Sequence, residues 1–277
     1  MTTFTTPEPI TATLTTAGAR VRIAAGDRPD TVVWVEPVDS ANKSDVKVAE
    51  QTEVAFAAGE LSIKTNKPGA KSGSVAITIE LPAGSALVLE TAWTDVHADG
   101  PLGACELDVA SGRVNLGHVA ALRGRLSAGS EVAIDRVAGA AELDGGAAGV
   151  RIGEAGGPLR YLGSTGQVWI GHARSDVDLT GSGGSFTVDR ADGGVFAKAA
   201  NCPIRIGRMT RGRADLANAA GGIEVGIAEG TAASVDADST KGAVRNSLPD
   251  NAGESTDRVT VHARTRLGDI VVHPAVA

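Results

Sequence analysis

Gly166-Gln167-Val168-Trp169-Ile170-Gly171-His172-Ala173 returns in kind eighteen residues later as Gly184-Ser185-Phe186-Thr187-Val188-Asp189-Arg190-Ala191. A small residue opens each segment, two apolar residues flank a variable one, and Gly or Asp follows. Working outward in steps of eighteen reaches Val96, Val114, Val132, Val150, Val168, Phe186 and Ile204, with Ile223 after nineteen. Two residues beyond these stand Ala98, Leu116, Ile134, Ile152, Ile170, Val188, Ile206 and Val225. The position between them varies freely, from His97 to Trp169 to Glu224. An in–out–in alternation is the mark of a strand with one buried face.

Other columns keep the same beat. Three residues after each start come only Gly and Asp, from Asp99 and Gly117 to Gly207 and Gly226; these residues tolerate left-handed backbone or close a turn with the side chain, which predicts a corner. Two residues before each start the side chain is small, as at Thr94, Gly112, Ser130 and Gly184, which predicts close packing of corner on corner. Five residues after each start stand Pro101, Val119, Val137, Ala155, Ala173, Ala191 and Met209. A second apolar pair follows half a period on, at Cys105/Leu107, Ala141/Leu143, Leu159/Tyr161 and Val177/Leu179, and slips by one residue near Arg123 and Arg213. A helix would space its apolar residues by three and four, and its interior glycines would each cost about 1 kcal/mol. The pattern predicts an all-β fold: a single-stranded β-solenoid of about 18 residues per coil and about eight regular coils, each stacked roughly 4.8 Å from the last. The hexad of left-handed acyltransferase helices is missing, since Arg174, Asp192, Asp144 and Lys198 occupy its expected aliphatic columns. One Asp in every second or third coil supplies too few oxygens for a calcium roll.

The ends depart from the period. Residues 1–90 read as an N-terminal antiparallel sheet or wide first coils, with strands at Ile10–Leu14, Arg20–Ile23, Thr31–Val35, Val46–Val48, Val54–Phe56, Leu61–Lys64, Val75–Leu81 and Leu87–Thr91. Residues 91–231 form the regular solenoid. Residues 232–277 form a C-terminal loop and β cap, with a polar loop at Arg245–Asp257 and last strands at Val259–Ala263 and Ile270–Val272. Ends of this kind are expected, because a bare terminal coil exposes unpaired backbone groups and invites polymerisation.

Several of these segments resemble a known family. They are the V-x-V strand and Asp-Arg turn of Arg20–Asp30, Ile79-Glu80-Leu81-Pro82-Ala83-Gly84-Ser85, the small-Gly-x-Val coils at Ser111-Gly112-Arg113-Val114 and Thr165-Gly166-Gln167-Val168, and the closing Leu267-Gly268-Asp269-Ile270. In this order, over nearly the whole chain, they resemble the bacterial β-strand-repeat "putative adhesin" proteins of unknown function, with toastrack-like domains. The resemblance implies a β-solenoid with a sheet-like N-terminal part and no established activity.

Composition narrows the function. The 277 residues carry 26 Lys+Arg against 33 Asp+Glu, a net charge of -7, and only 3% are aromatic. An acidic balance speaks against nucleic acid, whose binding needs cations to displace counterions. No apolar run approaches the roughly 18 residues of a membrane-spanning helix, and the first residues, MTTFTTPEPI, have no basic or apolar leader character, so the expectation is a cytoplasmic protein. Cys105 and Cys202 stand about five coils apart, roughly 25 Å at the strand spacing, beyond the ~7 Å a disulfide can bridge.

No motif for zinc, phosphate or a serine nucleophile occurs. The carboxylate pairs Asp176/Asp178 and Asp236/Asp238 have the spacing of one strand face, but sugar clefts are walled by aromatics that this chain lacks. The expectation is therefore not an enzyme, with no cofactor and no metal. The candidate interaction surface is a corner column with its neighbours: Arg136, His172, Arg190, Arg205, Arg208, Arg211, Arg213 and Trp169. Arg forks suit carboxylates and phosphates. Three functions follow in order of preference. The first is a non-catalytic, adhesin-like scaffold presenting a rigid repeat surface to a protein partner or to itself. The second is a β-solenoid that binds or degrades polysaccharide. The third is an anion- or nucleic-acid-docking surface on the Arg column.

Overall fold

Alternating burial runs through almost every strand. The computed structural model describes residues 1–65, 73–249 and 256–275, and the chain forms two compact units, Met1–Val137 and Ala138–Ala277. The first holds β1 (Thr2–Thr5), β2 (Thr11–Ala17), β3 (Ala19–Gly26), β4 (Asp30–Pro37), α1 (Lys43–Gln51), β5 (Glu53–Ala57), β6 (Glu60–Lys64), β7 (Val75–Pro82), β8 (Ala86–Ala92), β9 (Thr94–Val109), β10 (Gly112–Leu126) and β11 (Ser130–Val137). The second holds β12 (Ala141–Gly145), β13 (Gly149–Ala155), β14 (Leu159–Gly163), β15 (Gln167–Ala173), β16 (Val177–Gly183), β17 (Ser185–Ala191), β18 (Val195–Asn201), β19 (Ile204–Met209), β20 (Gly212–Ala220), β21 (Ile223–Ile227), β22 (Ala232–Lys241), β23 (Val244–Asn246), β24 (Arg258–Leu267) and β25 (Ile270–Pro274).

The fold is a single-stranded β-solenoid in which each coil gives one strand to each of two parallel ladders. In the first unit the eighteen-residue register is direct: Val96 pairs with Val114, and Val114 with Val132. In the second, Val150, Val168, Phe186 and Ile204 follow one another, and Ile223 follows at nineteen. The half-period columns stack too: Ala141, Leu159, Val177, Val195 and Ala214. These inward residues are buried, each large aliphatic contributing about 1.5–3 kcal/mol. Tyr161, 1% exposed, is the largest side chain in this interior; its hydroxyl donates to the Gly145 carbonyl at 3.2 Å and its ring meets Phe186 edge-on at 6.1 Å.

Corners turn a few carbonyls toward the core, and small hydroxyl or amide side chains satisfy them. Ser130 Oγ donates to Val109 O (3.0 Å), Ser85 Oγ to Pro82 O (2.7 Å), and Asn218 Nδ2 to Cys202 O (2.8 Å).

The structure reassigns one column. Gly171 and Gly207, three residues past their coil starts, do not have left-handed backbone. They lie within β15 and β19, where a Cβ would come 2.6 Å from Gly153 O and 2.7 Å from Asp189 O. Close approach of neighbouring coils, not backbone hand, makes that column small. Left-handed backbone occurs instead at three positions two residues before a coil start, Gly112, Gly184 and Gly221; at Gly184 (φ +98) an added Cβ would also meet Gly166 O at 1.9 Å. A second correction concerns Pro101. A bulge between Leu116 and His118 shifts the register, so Val119 pairs with Leu102 and Leu122 with Cys105.

Residues before 90 combine both expected forms. β2–β3 is a wide coil, and so are β6–β7 and β8 with the first half of β9. Their order in space is not their order in sequence. β2 lies between β6 and β8, and β3 between β7 and β9, so the coil laid down first sits second in the stack. The outermost coil, β6–β7, is closed by antiparallel strands: β5 on β6, β4 on β7, and β1 on β4.

Val46–Val48, read as a strand, lies in α1. Asn42 Oδ1 caps the helix by accepting from Ser44 N at 2.9 Å. Asp45, 5% exposed, accepts from the amides of Asp39 (3.0 Å) and Ser74 (2.8 Å), tying the helix to the chain around β4 and β7. The V-x-V alternation misled because Val46 and Val48 are only half-buried on a short helix.

The C-terminal segment mirrors this exchange of order. β24 pairs with β20 on one side and β22 on the other, and β25 lies between β21 and β23. The last coil of the chain is again second in its stack, and β22–β23 is outermost. Arg245 and Asn246, read as loop, pair with Val271 and Val272 in β23. The turn-rich segment Asn66-Lys67-Pro68-Gly69 between the strands read at Leu61–Lys64 and Val75–Leu81, and residues 250–255 of the polar loop, lie outside the described residues.

Candidate interaction surface

β15, β17 and β19 carry His172, Arg190 and Arg208 to one column at their C-terminal ends, in register with one another. The next residues turn the corner, and Asp192 stands in that turn. Its carboxylate lies 2.6 Å from His172 Nε2 and accepts from Arg190 Nε (3.1 Å) and Thr210 Oγ1 (3.0 Å). Arg211 Nε donates to the Asp192 carbonyl at 2.9 Å. Burial works to raise the Asp192 pKa, but hydrogen bonds from His172, Arg190 and Thr210 together outweigh it and hold the carboxyl below its usual range. Three of the sequence-selected residues, His172, Arg190 and Arg211, thus meet around an acid that sequence reading did not single out.

Arg205 and Arg213 are also engaged. Arg205 Nε donates to Glu224 Oε1 (3.3 Å), and the same oxygen lies 3.3 Å from His273 Nε2. Arg213 pairs with Asp215 at 2.7 Å. Arg151 stacks its guanidinium over the Trp169 ring, 4.6 Å from the centroid, while Trp169 Nε1 donates to Asp189 Oδ2 at 3.0 Å. Trp169 is accordingly half-buried and clamped. Arg208 is exposed and has no partner among the described residues. Arg136 belongs to the first unit, in register with His118. The surface is a lattice of lateral ion pairs rather than a row of open guanidinium forks.

The carboxylate pairs do not converge on a cleft. Asp176 accepts from Gly194 N (2.7 Å) and fixes a corner, while Asp178 faces out from β16. Asp236 accepts from Arg264 Nη2 at 2.7 Å, a bond that lowers its pKa. Among the described residues no group of three or more His, Cys, Asp or Glu side chains is placed to hold a metal. Cys105 and Cys202 are buried thiols whose pKa values burial pushes up to about 12 and about 11.

Two surface features escaped the sequence reading. Trp93 is 71% exposed and has left-handed backbone, φ +47. It stands one residue before the small column, at a corner where Gly18 (φ +70) and Gly129 (φ +83) serve other coils. A tryptophan among corner glycines was the available signal. The other feature is the edge of β22, which no periodicity argument could reach because it lies beyond the repeat.

The sequence matches no family model and no curated protein. Solved structures do align with it. A "putative adhesin" from Bacteroides fragilis aligns over 98% of this chain and 95% of its own, at 11% identity and a TM-score of 0.35. Others so described, from Parabacteroides distasonis and Parabacteroides merdae, align over 98% of this chain and 95% and 94% of theirs, at 9% and 10% identity, each with a TM-score of 0.38. Their description is the label of the family that the sequence motifs resemble. The fold assignment rests on the strand register.

Proposed function

We propose that the chain is a non-catalytic interaction module that offers a rigid, preorganised ladder surface to a protein partner. The observation that carries this reading is the lateral pinning of outward charges: Asp192 holds His172, Arg190 and Arg211, and Arg205 and Arg213 hold their own acids. Side chains fixed before contact lose little entropy on binding, which favours recognition of a complementary protein face. The filled interior, with Tyr161 and Phe186 at its centre, supports the same reading. Affinity capture from the native host checks it: retention of a defined protein partner, in the absence of glycan-array binding and reducing-sugar release, is the expected result. Release of sugar from any polysaccharide would overturn it.

A second reading has one observation in its favour. Trp93 exposes its indole from a backbone conformation that costs about 1–2 kcal/mol, and an exposed indole is a stacking platform for a pyranose ring. Glycan-array binding that disappears in Trp93→Ala is the outcome that would promote it.

A further inference from the structure

Among the described residues, β22 is paired along one edge, by β24. Ala232 N donates to Asp257 O at 3.0 Å, which places the amides of even-numbered residues on the β24 side. The N–H and C=O groups of Ala233, Val235, Ala237 and Ser239 therefore point away from β24, with no strand beyond them among the described residues. The side chains of these same four residues continue the inward columns, over Val259, Val261, Ala263 and Thr265. Val235 and Ala237 are only half-buried, and Val244 on β23 is 43% exposed. A stack of parallel strands thus stops at a coil whose backbone donors, backbone acceptors and apolar column are all ready for one more strand.

Charge says what that strand carries. Outward acids in several columns of this fold are met by a cation on the neighbouring coil: Arg20, Asp95, Arg113 and Glu131 stand in register, with an Arg113–Glu131 bond of 3.0 Å, and Arg205 answers Glu224. Where Glu90 stands over Asp108, Arg125 follows one coil on, 3.5 Å from Asp108. On β22 the outward residues Asp236 and Asp238 end two such columns. Asp236 is hydrogen-bonded by Arg264 Nη2, whereas Asp238, in register with Arg264, feels that guanidinium only through its charge and accepts no hydrogen bond among the described residues. A second copy is a poor occupant. Antiparallel pairing of β22 with itself that keeps outward residues on one face and centres on Ala237 sets Asp236 opposite Asp238, and like charges across a pair destabilise it. The edge strands β1 (Thr-Thr-Phe-Thr) and β5 (Glu-Val-Ala-Phe-Ala) offer no cation either.

We propose that β22 is the docking edge of this module, and that its occupant is an extended segment of a partner protein with basic residues at alternate positions and small apolar residues between them. The occupant adds as a further strand: its backbone pairs with Ala233, Val235, Ala237 and Ser239, its cations face Asp236 and Asp238, and its apolar side chains cover Val235 and Ala237. Strand addition of this type draws affinity from main-chain bonds and specificity from alternate side chains. The net charge of -7 assists the approach of a cationic segment. This inference rests on the reading of the chain as a protein-binding module and names its site.

The test uses the full chain and the synthetic peptide acetyl-TVKVKVT-amide. Amide exchange followed by NMR at millimolar peptide should slow at Ala233, Val235, Ala237 and Ser239, at least tenfold, and little elsewhere. The double variant Asp236→Asn/Asp238→Asn should weaken binding about tenfold, and a peptide with Glu for Lys should not bind. Val235→Pro removes an outward amide that makes no ladder bond, so the fold should survive and binding should be lost. Absence of protection at those four amides, or equal binding of the Glu peptide, overturns the proposal. A concentration-dependent dimer abolished by Val235→Pro overturns it in favour of a second copy. A partner captured from the host equally well by wild type and Val235→Pro would sink this edge while leaving the module reading intact.

Discussion

The outermost coil of the first unit and the outermost coil of the second solve one problem in two ways. Both stacks place second a coil that lies at one end of the order of coils in sequence, β2–β3 in one and β24–β25 in the other, so that neither of these coils is the last layer. Their last layers differ. β6–β7 carries Leu61, Ile63, Val75, Ile77, Ile79 and Leu81 inward, all at most 1% exposed, under β4, β5 and α1. β22–β23 carries Ala233, Val235, Ala237 and Val244 in the corresponding inward positions, under nothing among the described residues. An apolar column can be ended by covering it or by tapering it. The covered end is closed for good, whereas the tapered end remains able to accept a layer.

The largest expected effect tests this contrast at its core. Ile79 packs between Ile23 on β3 and Val33 on β4. Ile79→Ala should cost about 2–5 kcal/mol in urea unfolding, as buried Ile deletions do. Val235→Ala, at the tapered layer, should cost less than about 1 kcal/mol. Similar losses at the two sites would mean that the tapered layer is as firmly covered as the other.

Corners give the next test. Gly184 has left-handed backbone and a coil pressed against it; Gly230, entering β22, has φ +76 and nothing within 4 Å of an added Cβ. Gly184→Ala should lose about 2–4 kcal/mol, from backbone hand together with forced displacement of Gly166, while Gly230→Ala should lose only the backbone part, about 1–2 kcal/mol. Equal losses would show that backbone hand alone sets both corners.

Those glycines also mark how far the sequence could be read. The inward columns from Val96 to Ile223 were legible because stacking forces every coil to repeat the same side-chain volume at the same place. The Gly/Asp column was legible as special but not in kind: Gly171 is demanded for its missing Cβ, Gly184 for its φ as well, and a sequence shows only Gly. The exchanged order of the terminal coils left no trace, because β2 pairing with β6 and β8 is a long-range choice with no fixed period. The helix had a trace, Asn42 capping ahead of Asp45, which the Val46–Val48 alternation obscured. At the candidate surface, eighteen-residue arithmetic placed His172, Arg190 and Arg208 together. It missed Asp192, which reaches His172 from twenty residues on, across a corner.

Asp192 supplies a smaller effect, confined to acid. Its carboxyl in the folded protein lies below the ordinary 3.8, so its contribution is complete above that value and is lost as pH falls through the folded one. As pH falls below ~4 the wild type should lose more stability than Asp192→Asn, as read by urea midpoints. Parallel pH profiles would remove the carboxylate from the account of that corner. Asp236, tied to Arg264 at the tapered layer but fully exposed, should change the acid profile much less when replaced by Asn.

The smallest effect costs no stability and separates the two layers most cleanly. β7 has a strand on each side, β3 and β4, so the amides of successive residues from Ala76 to Glu80 all lie between paired strands. Among the described residues β22 is flanked by β24 on one side alone. Exchange along β7 should therefore be slow at every residue. Along β22 it should alternate, slow at Ser234 and Asp236, fast at Val235 and Ala237. Such a sawtooth cannot arise from fraying, which would loosen neighbours together. Uniform slow exchange along β22 in the absence of any ligand would mean that the edge is already occupied in solution, and the distinction between a covered and a tapered end would fall with it.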